Sequence, residues 1–213
     1  MFITFEGIEG TGKTTQVTKV KEYFESKGRE VFLTREPGGS RVGKELRKML
    51  LHVDNKDLTP VTELFLYLAD RAQHVSQVIR PALEDDKVVL CDRFADSTIV
   101  YQGYGRGLDT KTLKQLNEVA VEGMWPDLTI ILDIDPEIGL KRATLRNLEQ
   151  GVAKEEGRFE AEHMNFHKRI REGYLTWAAI NRDRIRVINA AASPDEVFER
   201  IRAAIEATLD SKE

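Results

Sequence analysis

One cysteine in 213 residues, Cys91, excludes any disulfide within the chain and fits a reducing compartment. It stands in the apolar run Val88-Val89-Leu90-Cys91, where a buried strand residue is expected rather than a reactive thiol. No apolar stretch approaches the ~18–20 residues that cross a bilayer, so no membrane helix is expected. A surplus of basic residues is missing too. The net charge is −4, from 32 Lys and Arg against 36 Asp and Glu, which argues against general nucleic-acid binding. Repeats, low-complexity tracts and linkers are absent, so residues 1–213 are expected to form one domain. The chain opens directly on a strand-like run, which predicts no signal peptide and a cytoplasmic protein.

What the sequence does hold is a phosphate-binding device near its start. Residues 7–14 read Gly7-Ile8-Glu9-Gly10-Thr11-Gly12-Lys13-Thr14, a complete G-x-x-x-x-G-K-[ST] loop. Its glycines let successive backbone N–H groups turn inward and cradle phosphate oxygens. A helix that opens at Lys13 aims its positive end at the same anions. Lys13 can reach the outer phosphates of a nucleotide, and the Thr14 hydroxyl can ligate Mg²⁺. The flanks supply the context the motif needs. Residues 2–5 read as a buried strand, and residues 14–27 as a helix that Gly28 stops.

Strand-like runs recur at 2–5, 30–34, 87–91, 128–133 and 185–188, with helical patterns between them. That alternation predicts an α/β fold: a five-stranded, doubly wound parallel sheet flanked by helices. Ligands in such sheets bind beyond the carboxyl ends of the strands. The unusual residues fall there: Glu6-Gly7, Arg35-Glu36-Pro37-Gly38-Gly39, Asp92-Arg93 and Asp133-Ile134-Asp135-Pro136. Residues 60–84 read as one long helix that Pro81 bends or interrupts. Residues 146–160, rich in charge with two glycines, read as a mobile lid, followed by an amphipathic helix over 161–180.

Asp92 ends a buried strand, the position from which a carboxylate holds Mg²⁺ directly or through water. Arg93 follows it. A cation there cannot activate water as a base, but it can hold a second phosphate group. Arg35, Arg47, Arg71, Arg93 and Arg106 accumulate toward the same edge. Guanidinium forks match phosphate oxygens, so the set predicts a second phosphorylated ligand facing the first, the arrangement of a kinase. A GTP-driven switch is disfavoured because no D-x-x-G follows the third strand, and Asn55-Lys56-Asp57 lacks the spacing of a guanine-recognition motif. His163 and His167 are four apart, as zinc ligands can be, but no third ligand accompanies them, and exposed helix positions are expected for both.

Several segments in combination resemble the bacterial thymidylate kinase family. They are Phe5-Glu6-Gly7-Ile8-Glu9-Gly10 with Gly12-Lys13-Thr14-Thr15, Thr34-Arg35-Glu36-Pro37-Gly38-Gly39, Leu68-Ala69-Asp70-Arg71-Ala72-Gln73-His74, Asp92-Arg93-Phe94 and Tyr101-Gln102-Gly103. The resemblance runs from residue 2 to about residue 205. It implies transfer of the ATP γ-phosphoryl group to dTMP, giving dTDP and ADP, with Mg²⁺, in a homodimer. By the same resemblance residues 7–15, including Ile8, Glu9, Thr11 and Thr15, hold ATP, and Arg142 stacks on adenine. Arg93 and Arg47 grip the dTMP phosphate, and Arg35 lies near the reacting phosphates. Glu9 lies near the deoxyribose 3′-hydroxyl.

Tyr67 and Arg71 are four apart and so share a helix face. The resemblance implies that Tyr67 stacks on thymine while Arg71 bonds its O4. Thr98 and Gln102, again four apart, line the other base edge, and Tyr101 crowds the sugar C2′. The phosphate loop carries no cation at Ile8, Glu9, Gly10 or Thr11, and relatives of that type supply the charge from the lid. Arg158, in Gly157-Arg158-Phe159-Glu160, resembles the lid arginine, with Arg146 as a second candidate. Catalytic roles are thus expected for Lys13, Arg35, Arg93 and Arg158, and metal contacts for Thr14 and Asp92. Two other readings stand beside this one: a kinase for another nucleoside monophosphate, and a nucleotide-dependent switch.

Overall fold

The structure is a computed structural model that describes residues 1–210. Five strands form its sheet: β1 (Phe2–Glu6), β2 (Val31–Arg35), β3 (Val88–Asp92), β4 (Leu128–Asp133) and β5 (Ile185–Asn189). They are all parallel, in the order β2-β3-β1-β4-β5. The three inner strands are apolar and buried along almost their whole length, because helices cover both faces. The edge strands expose Leu33 and Val187. Period-two alternation divides the core. Phe2, Val89 and Cys91 face one layer with Val75, Ile79 and Phe94, while Ile3, Phe5, Val88 and Leu90 face the other. Two threonines inside the sheet satisfy each other, with Thr4 and Thr129 hydroxyls 2.8 Å apart.

The helices are α1 (Lys13–Ser26), α2 (Arg41–Leu51), α3 (Pro60–His74), α4 (Arg80–Glu84), α5 (Ala95–Thr98), α6 (Thr110–Val121), α7 (Pro136–Glu149), α8 (Ala153–Glu156), α9 (Met164–Ile180) and α10 (Pro194–Asp210). Their starts are chemically marked. The Ser40 hydroxyl accepts from Gly43 N–H, Thr59 caps α3 ahead of Pro60, and Asp135 caps α7 ahead of Pro136. Helix α1 stops where Gly28 takes φ +73°. The helical run from 60 to 84 continues past Pro81 through a π-helical turn at Val75–Ile79. A regular helix would drive the proline ring into the carbonyl four residues back, and the widened turn accommodates it. A second π-helical segment, Ile99–Gly105, joins α5 to the loop before α6.

The segment expected as a lid, 146–160, holds helical turns and buried side chains. Residues 146–149 finish α7, residues 153–156 form α8, and Arg158 and Phe159 are buried. Phe159 packs edge-on against Tyr101 and stacks on Phe166, which explains why so polar a stretch docks.

The register carries the site. Phe5 and Arg35 both lie opposite Asp92, so the ends of β1, β2 and β3 finish level. Two adjoining cavities, about 340 and 410 Å³, open at that carboxyl edge.

Candidate active site

The smaller cavity is built on the loop between β1 and α1. Gly10 and Gly12 take φ +71° and +90°, the left-handed region in which glycine is at ease. At Gly10 a Cβ would lie 1.9 Å from the Gly139 carbonyl oxygen, so α7 can pack onto the loop only because that atom is missing. Gly10, Thr11, Gly12, Lys13, Thr14 and Thr15 line the cavity, with Arg142 opposite. Gly7 and Ile8 do not line it. They lie beneath, and their carbonyls accept from Lys13 Nζ at 3.2 and 2.9 Å.

Burial, and then the charge of Arg93, push the Lys13 ammonium down to about 8 against the pull of Asp92 and Glu9. Bound phosphates add negative charge and return the proton. Nucleotide binding is therefore expected to take up protons, and to do so more strongly at about pH 8.5 than at about pH 7. Titration calorimetry in buffers of different ionisation heat measures that uptake directly. Binding without uptake at either pH would mean that Lys13 is already fully charged in the free protein.

Thr14 and Asp92 line both cavities. The Asp92 carboxylate makes no hydrogen bond or ion pair among the described residues. A free carboxylate and a free hydroxyl beside a phosphate loop fit Mg²⁺, which takes few protein ligands and completes its shell with water and phosphate oxygens. No protein-only cluster of three or more His, Cys, Asp or Glu ligands exists among the described residues.

The larger cavity is lined by Arg35, Arg47, Tyr67, Arg93, Thr98 and Gln102, among others. Arg93 has φ +68°, a strained conformation for a non-glycine residue that turns its side chain back over the sheet edge. Its Nη2 donates to Glu9 Oε1 at 3.0 Å and its Nη1 lies 3.3 Å from the Tyr174 hydroxyl. The guanidinium also stacks over the Tyr101 ring at 4.9 Å. Glu6 fixes this turn from below, accepting from Phe94 N–H and from the Ser97 and Tyr174 hydroxyls. Burial, and then repulsion from Asp96, raise its carboxyl to about 7. Arg35 is exposed and makes no hydrogen bond or ion pair among the described residues. Arg47 is not free: Nε and Nη2 donate to Glu156 at 2.9 Å each, and Nη1 to the Pro37 carbonyl.

Arg71 reaches the cavity wall with every donor engaged. Nε and Nη2 meet Glu36 at 2.9 and 2.8 Å, Nη2 also donates to the Phe94 carbonyl, and Nη1 donates to Thr98 and Asn117 at 2.7 Å each. In this arrangement Arg71 lines the cavity and orients Thr98, whose hydroxyl accepts from Arg71 and keeps its own proton to give. Gln102 gives an amide proton to Glu63 at 2.8 Å, which leaves its carbonyl as an acceptor. Burial raises the Tyr67 hydroxyl, so it stays neutral.

Two arginines leave the expected constellation. Arg106 pairs with Glu63 and Glu162 and lines neither cavity. Arg158 is 5 % exposed, donates to Glu63 at 2.6 Å and to the Leu50 carbonyl, and stacks on Phe159 at 4.5 Å. It too lines neither cavity, its guanidinium being held on the buried Glu63 carboxylate. Arg146 lines both, with its side chain half exposed. Asp133, expected at the site, instead pairs with Arg171 at 2.7 Å.

His163 is exposed, as expected, but His167 is fully buried, which corrects the expectation for that residue. Sequence reasoning also missed Ala190, Ala192, Pro194 and Val197, which wall the loop-side cavity. They follow β5 on the same carboxyl edge, and that position was the available signal. Asn147, Gln150 and Glu160 were missed in the larger cavity.

A family model described as thymidylate kinase matches residues 5–201. A thymidylate kinase of Maridesulfovibrio salexigens is 67 % identical over 96 % of this chain and 94 % of its own. Another from Oleidesulfovibrio alaskensis is 64 % identical over 96 % and 97 %. The crystal structure of a thymidylate kinase from Ehrlichia chaffeensis superposes with a TM-score of 0.78 at 34 % identity, covering 96 % of this chain and 98 % of its own.

Proposed function

The chain belongs to the thymidylate kinase family, and from that premise we propose that it transfers the γ-phosphoryl group of ATP to dTMP, giving dTDP and ADP. One observation carries the reading at this site. The phosphate-loop cavity and the arginine-lined cavity share one wall, made of Gly10, Lys13, Thr14, Asp92 and Arg146. A donor phosphate on the loop and an acceptor phosphate among Arg35, Arg47 and Arg93 would meet across it. A nucleotide switch has no use for the second cavity.

The roles follow from position. Lys13 and the loop amides hold the donor phosphates, and Arg93 and Arg35 hold the acceptor phosphate and spread the transferring charge. Arg47 joins them when phosphate replaces Glu156. Mg²⁺, held by Thr14 and Asp92, would neutralise the donor phosphates. The Thr98 hydroxyl as donor and the Gln102 carbonyl as acceptor complement a pyrimidine edge that offers one carbonyl and one N–H. Tyr67 stacks on the ring, and Tyr101 closes against the sugar. Arg142 lies where an adenine ring would cover it. Residues 146–160 close the acceptor side as a lid on a single domain. The unpaired Cys91 supports a cytoplasmic location.

Steady-state diphosphate formation from Mg-ATP with dTMP, dUMP, UMP or no acceptor tests this. Fast turnover with dTMP and slow turnover with the rest is the expected result. Turnover with UMP alone would remove the base assignment, and hydrolysis without any acceptor would restore the switch.

The homodimer has a supporting surface. On α3 Val61 and Phe65 are 51 % and 57 % exposed, and Ala69 and Ala72 continue the stripe. Val119 on α6, which packs beside α3, is 76 % exposed. Such an apolar stripe along α3 fits an isologous interface. Phe65→Glu is expected to convert the dimer to monomer in sedimentation velocity, without lowering the melting temperature of the monomer core. An unchanged dimer would place the contact elsewhere.

A further inference from the structure

At the site, one oxygen of a buried carboxylate and a buried imidazole have no hydrogen-bond partner and face each other. Glu9 Oε1 accepts from the Tyr101 hydroxyl at 2.6 Å and from Arg93 at 3.0 Å, while Glu9 Oε2 accepts from nothing. His167 on α9 is 0 % exposed, and neither ring nitrogen has a hydrogen-bond partner. Its Nδ1 lies 3.4 Å from Glu9 Oε2. An imidazole buried to this degree beside an unpaired carboxylate oxygen is an arrangement that chains avoid unless the two groups serve each other.

We infer that His167 is a positioning residue: its Nδ1–H holds Glu9 Oε2, so that Oε1 stays turned to Tyr101 and Arg93. The inference rests on the proposed reading, because the three groups it aligns are the ones that would meet the acceptor's sugar and phosphate. The charge balance agrees with it. Burial would raise the Glu9 carboxyl, but the facing imidazole and the Arg93 guanidinium outweigh that and hold it well below the usual carboxylate range. The next carboxylate, Glu160, is raised by burial and by the Glu9 charge, which leaves Glu9 as the anion of the pair. Helix α9 is firmly fixed to the sheet edge by Tyr174 on Glu6 and Arg171 on Asp133, so His167 is a rigid stop behind a loop residue.

A double-mutant cycle separates positioning from packing. His167→Phe fills the space without a donor, and its KM for dTMP is expected to rise about tenfold while KM for ATP stays fixed. His167→Asn places an amide near the Nδ1 position and is expected to recover most of the loss. In a Glu9→Gln background His167→Phe is expected to add little. Additive effects, a matching rise in KM for ATP, or no rise at all would overturn the inference. A second measurement is independent of turnover. Imidazole ¹⁵N correlation spectra of the free protein are expected to show a proton on Nδ1 of His167, and a bare Nδ1 would overturn the inference by itself. A wild-type enzyme that ignores dTMP would instead overturn the functional reading while the spectrum still reports on Glu9 and His167.

Discussion

Arg71→Ala is expected to lower the stability of the whole protein by about 3–5 kcal/mol, and not merely to weaken binding of the acceptor base. Arg71 is 1 % exposed and is the largest fully buried side chain of the described residues. Its removal strands Glu36, 3 % exposed, with only the His74 imidazole at 2.9 Å. It also takes the donors from Thr98, Asn117 and the Phe94 carbonyl. An ion pair of this kind contributes little beyond an apolar substitute of the same shape, yet breaking it on one side leaves a buried charge. Arg71→Lys is no rescue, because one ammonium cannot span acceptors arranged for a planar fork. Urea unfolding followed by circular dichroism gives the number. A wild-type midpoint, combined with lost affinity for dTMP alone, would show that Arg71 acts on the base directly and that the network tolerates its loss.

That example marks where sequence reading stops. The local patterns were legible: the apolar strand runs, the glycine ending α1, the prolines opening α3 and α7, and the Asp92-Arg93 pair at a strand end. Each is fixed by neighbours within a few residues. What was not legible was which carboxylate each arginine meets. Arg71 meets Glu36, Arg106 and Arg158 share Glu63, and Arg47 meets Glu156, across separations of 35, 43, 95 and 109 residues. A sequence lists these charges, but only the fold pairs them. The buried His167 could have been found. Ile170 and Tyr174 stand three and seven residues after it, and that spacing puts it on the inner stripe of α9, not beside the exposed His163.

The same pairing problem decides the lid. Arg146→Ala is expected to reduce kcat about 10³-fold with a modest change in KM, because an arginine delivered to a transferring phosphoryl group contributes on that order or more. The phosphate loop has no cation other than Lys13, and the family resemblance implies that the lid side supplies a further charge. Arg146 is the lid arginine that borders both cavities, and its partners are weak ones. It donates to Asn147 on the next position and stands 3.6 Å from Glu160, whose burial favours the neutral acid. Little has to be broken to swing it onto phosphate. Arg158 would first have to leave Glu63, a carboxylate 0 % exposed that Arg106 and Gln102 also bind. Arg158→Ala is accordingly expected to loosen the Phe159 seat over Tyr101 and raise KM for dTMP, with kcat falling far less. Single-turnover kinetics of the two variants distinguish the cases, because they isolate the transfer step from lid opening and product release. The reverse result, a 10³-fold loss from Arg158→Ala with Arg146→Ala near wild type, would mean that bound nucleotides break the Arg158–Glu63 pair and draw the deeper arginine out.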